Sequence, residues 1–157
     1  MRYFSFILIG LLWCQIILGG TVASHYAALA CPDFPLCQGQ FIPTLSGAVG
    51  LNVLHRLGAY ACVIYIMGFY WAVSVYVPKE FKIVKKWTKR LAIGIWLQVA
   101  LGISNVLFVT PPLIVVLHLT LGTILFGISL RIAYLISYGE AQAGNELYAS
   151  NTALTGN

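Results

Sequence analysis

Val53-Leu54-His55-Arg56-Leu57-Gly58 sets an imidazole and a guanidinium inside a long apolar run, and Val116-Leu117-His118-Leu119-Thr120-Leu121-Gly122 repeats the pattern in a second such run. Ionisable groups inside apolar segments of membrane length are costly, and they mark function by default. Working outward, each histidine segment follows a segment with a shared signature of its own. Gln15-Ile16-Ile17-Leu18-Gly19 precedes the first, and Gln98-Val99-Ala100-Leu101-Gly102 precedes the second. The chain therefore reads as two copies of one helical hairpin, each pairing a glutamine helix with a histidine helix.

Composition agrees with burial in lipid. Hydrophobic residues make up 60% of the 157 residues and charged residues only 8%, against about 25% charged in soluble domains. A span needs about 20 apolar residues, and four segments meet that length: Tyr3–Ser24, Ala48–Val77, Leu91–Val109 and Pro112–Ser137. The first has the look of a secretory leader, but it carries the repeated glutamine motif and is expected to stay as a helix. The net charge of +5 is no nucleic-acid footprint, because Lys79, Lys82, Lys85, Lys86, Lys89 and Arg90 cluster between the second and third segments. Such clustering marks the cytoplasmic side. Both termini are then expected in the cytoplasm, with the loop 24–47 and the Thr110-Pro111-Pro112 turn outside.

The expected fold is all-α: an integral membrane four-helix bundle built from two parallel-oriented hairpin repeats. Residues 1–138 would form the transmembrane domain that carries both histidines, and 139–157 a polar cytoplasmic tail, poorly ordered unless a partner holds it. The setting is the cell inner (plasma) membrane.

His55 and His118 fall at matched depth, roughly 10 Å below the outer boundary at the helical rise. Two imidazoles facing each other across a bundle suit the axial positions of a haem iron, one haem b per chain. Gly58 and Gly122, one turn on, would bare the backbone to a flat porphyrin. The competing reading is a pair of interhelical hydrogen bonds. Zinc or copper would want further ligands nearby; Cys14 and Cys62 read as small apolar residues. Arg56 has no carboxylate in any span, since Asp33, Glu80, Glu140 and Glu146 lie outside them. It would either pair with a haem propionate or snorkel to the interface. In the outer loop, Cys31 and Cys37 sit in an oxidising compartment and are expected to be bonded, as a structural staple or as a redox-active pair. His25 adds a third conceivable metal ligand there.

The run Ala30-Cys31-Pro32-Asp33-Phe34-Pro35-Leu36-Cys37-Gln38-Gly39-Gln40-Phe41-Ile42-Pro43, with His55-Arg56-Leu57-Gly58-Ala59-Tyr60 and Gln98-x-x-Leu101-Gly102 leading to His118, resembles the haem A synthase family. The resemblance covers about Gln15 to Gly122. It implies conversion of haem O to haem A with a b-type haem as cofactor, in a family whose members usually have two four-helix halves. This chain matches one half, so the resemblance implies a homo-oligomer or a partner. At the position of the family's catalytic Glu the chain has Asn52, which cannot act as a base. The alternative is a haem-binding electron-transfer subunit of a respiratory membrane complex; a packing subunit without haem is a third. Membrane lipid and haem are the expected small-molecule partners.

Overall fold

The computed structural model describes the backbone of residues 1–41 and 43–155, and side chains of residues 1–41 and 43–139. Its elements run α1 (Arg2–Ser24), a short 3₁₀ turn (Ala27–Ala30), α2 (Gly47–Tyr76), α3 (Lys82–Leu107) and α4 (Pro112–Thr155). All four helices are long and apolar enough to cross a membrane, the relevant part of α4 being Pro112–Gly139. Neighbours in sequence pack against each other, and α4 closes the ring on α1. The histidine helices α2 and α4 therefore stand diagonally across the bundle, the arrangement that lets two side chains meet in its middle. The protein is a multi-pass membrane bundle of four helices.

The two ends of the bundle are built differently. Away from the cysteine loop the interior is filled by Leu8, Leu12, Ile66, Phe69, Val73, Val84, Leu91, Ile95, Leu125 and Ile132, all buried. Lipid tails are as apolar as these side chains, so close van der Waals packing holds this end together rather than escape from water. Large apolar side chains also cover the outside, Ile64 being 74% exposed and Trp71 60%. That surface faces acyl chains. Nearer the cysteine loop the same four helices part around a cavity.

Two boundaries differ from the sequence reading. Hydropathy places the third helix from Leu91, but α3 begins at Lys82, so Lys82, Lys85, Lys86, Lys89 and Arg90 ride on its first turns. Hydropathy registers depth in the membrane, not helix length, and Lys and Arg are good helix formers. Likewise α4 continues past Gly139 to Thr155, where poorly ordered chain is expected. The side chains of that tail lie outside the described residues.

The connection between α3 and α4 is tight. The Thr110 N–H reaches back 2.7 Å to the Asn105 carbonyl, with Val109 and Thr110 in the left-handed region. This satisfies the end of α3. Pro111 bars continuation, and Pro112 occupies the first turn of α4, where a missing N–H costs nothing.

Candidate functional site

His55 and His118 line one cavity of about 280 Å³, whose walls come from all four helices and from the outer loop. Each ring is fixed by the glutamine of its own hairpin. The Gln15 Nε2 donates to the His55 carbonyl at 2.7 Å and lies 3.0 Å from Nδ1. The Gln98 Nε2 donates to the His118 carbonyl at 3.0 Å and lies 3.3 Å from Nε2. An amide nitrogen has no lone pair to offer, so each glutamine bears on which ring nitrogen keeps the proton.

The glycines explain the spacing of the repeated motifs. A Cβ on Gly58 would run into the Gln15 amide, and one on Gly122 would lie 3.1 Å from the Gln98 Nε2. Conversely, a Cβ on Gly19 would lie 3.0 Å from His55 Cε1, and one on Gly102 would lie 3.2 Å from His118 Cε1. Within each hairpin the glutamine thus sits on the histidine helix's glycine, and the histidine on the glutamine helix's glycine. At Gly58 and Gly122, where the sequence suggests room for a porphyrin, the nearest side chains are those two glutamines. Their open faces receive Gln15 and Gln98. Gly122 also lines the cavity, whereas Gly58 is not among its lining residues. Gly19 and Gly102, mere motif members in the sequence, are the glycines against the imidazoles.

Arg56 has a use that neither sequence reading supplies. Its Nη1 donates to the carbonyls of Asp33 (2.9 Å) and Leu36 (2.8 Å), and Nη2 donates to that of Cys31 (2.8 Å). One guanidinium in α2 therefore straps the cysteine loop over the bundle. Three of its five N–H groups are engaged, and the residue still lines the cavity. Asn52, one turn before, donates to the carbonyls of Ala27 (2.9 Å) and Ala28 (3.2 Å) and so holds the 3₁₀ turn. The loop itself is closed by a Cys31–Cys37 disulfide, and both cysteines are buried with Val53. Cys37 and Gln40 exchange backbone hydrogen bonds around Gln38 and Gly39, both at positive φ. Such a turn suits glycine. The Asp33 carboxylate accepts the N–H groups of Gln38 and Gly39 (2.8 and 2.9 Å). The Gly39 bond above all holds its pKa below the ordinary carboxylate value. His25 bonds Thr21 and Ser24 on the exposed side, and no group of three metal-ligating side chains occurs among the described residues.

Among the described residues, three buried polar atoms around the cavity have no partner: Gln98 Oε1, Asn105 Oδ1 and His118 Nδ1. All three residues line it. Buried polar atoms are nearly always satisfied, so orphans gathered at one cavity point to an occupant that supplies the missing contacts. Apolar walls and two imidazoles from diagonal helices fit a haem.

Comparison with known proteins agrees. A sequence model described as cytochrome oxidase assembly protein matches residues 1–130. The haem A synthase of Halalkalibacterium halodurans is 33% identical over 143 residues, covering 88% of this chain and 47% of its own length. That of Alkalihalophilus pseudofirmus is 31% identical, covering 80% and 42%. That of Shewanella oneidensis is 31% identical, covering 72% and 38%. The chain thus spans less than half the length of these relatives. On the match over residues 1–130 and these likenesses, the chain belongs to the COX15-CtaA family, the haem A synthase family.

Proposed function

We propose that the chain holds one b-type haem through His55 and His118 and acts as a half-length haem A synthase-type oxidoreductase on haem O. The observation that carries this reading is the shared cavity, reached by one histidine from each hairpin and bordered by unpartnered polar atoms on the α3–α4 side. His55 and His118 would bind the iron, and Gln15 and Gln98, bonded to the backbone carbonyls of the same histidines, would fix where each histidine stands in the bundle. The two N–H groups of Arg56 left over from the loop are available to a propionate. The strapped loop would keep water from the cavity mouth. A bound haem would supply the redox chemistry that no side chain here can perform.

Because the chain spans less than half the length of these relatives, a second haem site would come from another copy of the chain or from a partner subunit. The basic cluster from Lys79 to Arg90 orients the bundle with both termini and the tail 139–157 in the cytoplasm and the disulfide loop outside the plasma membrane.

Asn52 favours a second reading, electron transfer within a respiratory membrane complex. Its amide cannot ionise, its Nδ2 is committed to Ala27 and Ala28, and no carboxylate lies in the described spans. Expression in membranes that make haem O, followed by haem extraction, separates the two. Accumulation of haem A above the empty-vector level supports the synthase; bound haem B without haem A supports electron transfer. Protein free of any haem would refute both.

A further inference from the structure

At the end of the bundle opposite the disulfide, two arginines from different helices converge on one indole. The Arg90 guanidinium carbon (α3) lies 4.6 Å from the centre of the Trp87 ring, and that of Arg131 (α4) also lies 4.6 Å from it. Both arginines are exposed on the outer surface, while Trp87 is half-buried between the helices. Among the described residues neither guanidinium has a carboxylate partner; the nearest acid in sequence to Arg90, Glu80, lies before the start of α3. Two like charges brought to one ring repel. The indole face offsets part of that repulsion, and an anion would offset the rest.

Depth identifies the anion. Arg90 is eight residues from the start of α3, and Arg131 is eight residues short of Gly139, where the span in α4 ends. At the helical rise both lie about 12 Å from those ends. Trp71, Tyr76, Tyr134 and Tyr138 are exposed at this end of the bundle, Tyr134 stacking on Tyr138 and Trp71 edge-on to Tyr76. Aromatic rings of this kind collect at the headgroup level. The clamp thus opens sideways at the level of this belt, where the apolar stretch of α3 begins at Leu91. Lys86 and Lys89 stand exposed on the same turns of α3. A guanidinium pair presents a planar fork of donors that suits a phosphodiester, and basic sites between helices on this side of a membrane suit anionic headgroups.

We infer that Arg90, Arg131 and Trp87 form a site for one anionic phospholipid, seated in the α3–α4 groove with its phosphate between the guanidiniums. The site is independent of the haem reading, since it lies at the packed end of the bundle, away from the cavity. Its occupant would brace the α3–α4 hairpin from outside.

The test is retention of phosphatidylglycerol after delipidation in neutral detergent, read by native mass spectrometry of the whole chain. The wild type should keep about one phosphatidylglycerol in preference to phosphatidylcholine. Arg90→Gln and Arg131→Gln should each weaken retention about five-fold, and the double variant about twenty-five-fold. Lys82→Gln, removing the same charge elsewhere on α3, should leave retention within two-fold of wild type, on the order expected for an outlying surface charge. Equal loss in Lys82→Gln would overturn the site in favour of a diffuse basic surface. Unchanged retention in the double variant would overturn it outright, as would full displacement of the lipid by millimolar inorganic phosphate. Unaltered helix content in each variant, by circular dichroism, excludes unfolding as the cause.

Discussion

The two hairpins share a motif and differ in how completely it is satisfied. In α1–α2 no buried side-chain polar atom at the site is without a partner among the described residues: Gln15 holds His55, Asn52 holds the 3₁₀ turn and Arg56 holds the disulfide loop. In α3–α4 the counterparts are looser and incomplete. Gln98 makes longer bonds, and Gln98 Oε1, Asn105 Oδ1 and His118 Nδ1 have none. The connecting segments account for part of this. The first hairpin has a long loop that folds back and gives carbonyls to its helix, whereas the second has only the short turn at Thr110-Pro111. The first hairpin commits its buried polar groups to its own loop; the second keeps three of those at the site without a partner among the described residues. A repeated sequence does not guarantee repeated energetics, because the partners that complete each copy come from outside the repeat.

The largest way to break the contrast is Arg56→Gln. Three charge-assisted bonds to loop carbonyls are lost, and unfolding in mixed detergent should show a loss of about 3 kcal/mol, with the loop newly open to protease. A loop as protected as in the wild type would contradict the strap. Next come the paired glycines. Gly58→Ala forces the Gln15 amide off its seat and should cost about 2 kcal/mol, whereas Gly122→Ala needs only a small shift of Gln98 and should cost less than about 1 kcal/mol. Equal costs would mean the two hairpins are equally tight. The glutamines themselves give a smaller difference. Gln15→Leu should destabilise by about 1 kcal/mol and Gln98→Leu by about half that, as interhelical hydrogen bonds in membranes do. A reversed order would undo the ranking. The smallest effect belongs to Asp33. Its folded pKa is depressed, so its contribution is present above the unfolded value and disappears as pH falls through the lowered one. Loop protection measured from pH 6 down to about 3 should decline in the wild type and stay level in Asp33→Asn.

Much of this was legible in the residues. Four apolar runs, the glutamine and histidine motifs and their order are all local patterns, and hydropathy reads them directly. Partners distant in sequence were not legible. Nothing in the spacing ties Arg56 to carbonyls 20 to 25 residues upstream, or assigns Gly58 to Gln15 rather than to a ligand. Arg131 escaped notice for a different reason: a single cation near the end of a strongly apolar run barely lowers its mean hydropathy, and its meaning depends on Trp87 and Arg90 in another helix. The early start of α3 was hidden because charge ends a hydropathy window without ending a helix.

The central claim is that one haem sits between His55 and His118. A reduced-minus-oxidised visible spectrum of the purified protein, set beside His55→Ala and His118→Ala, tests it most directly. The account predicts a low-spin b-type signal in the wild type that is lost in both variants while all four helices remain inserted. An undiminished low-spin signal in either variant would contradict it.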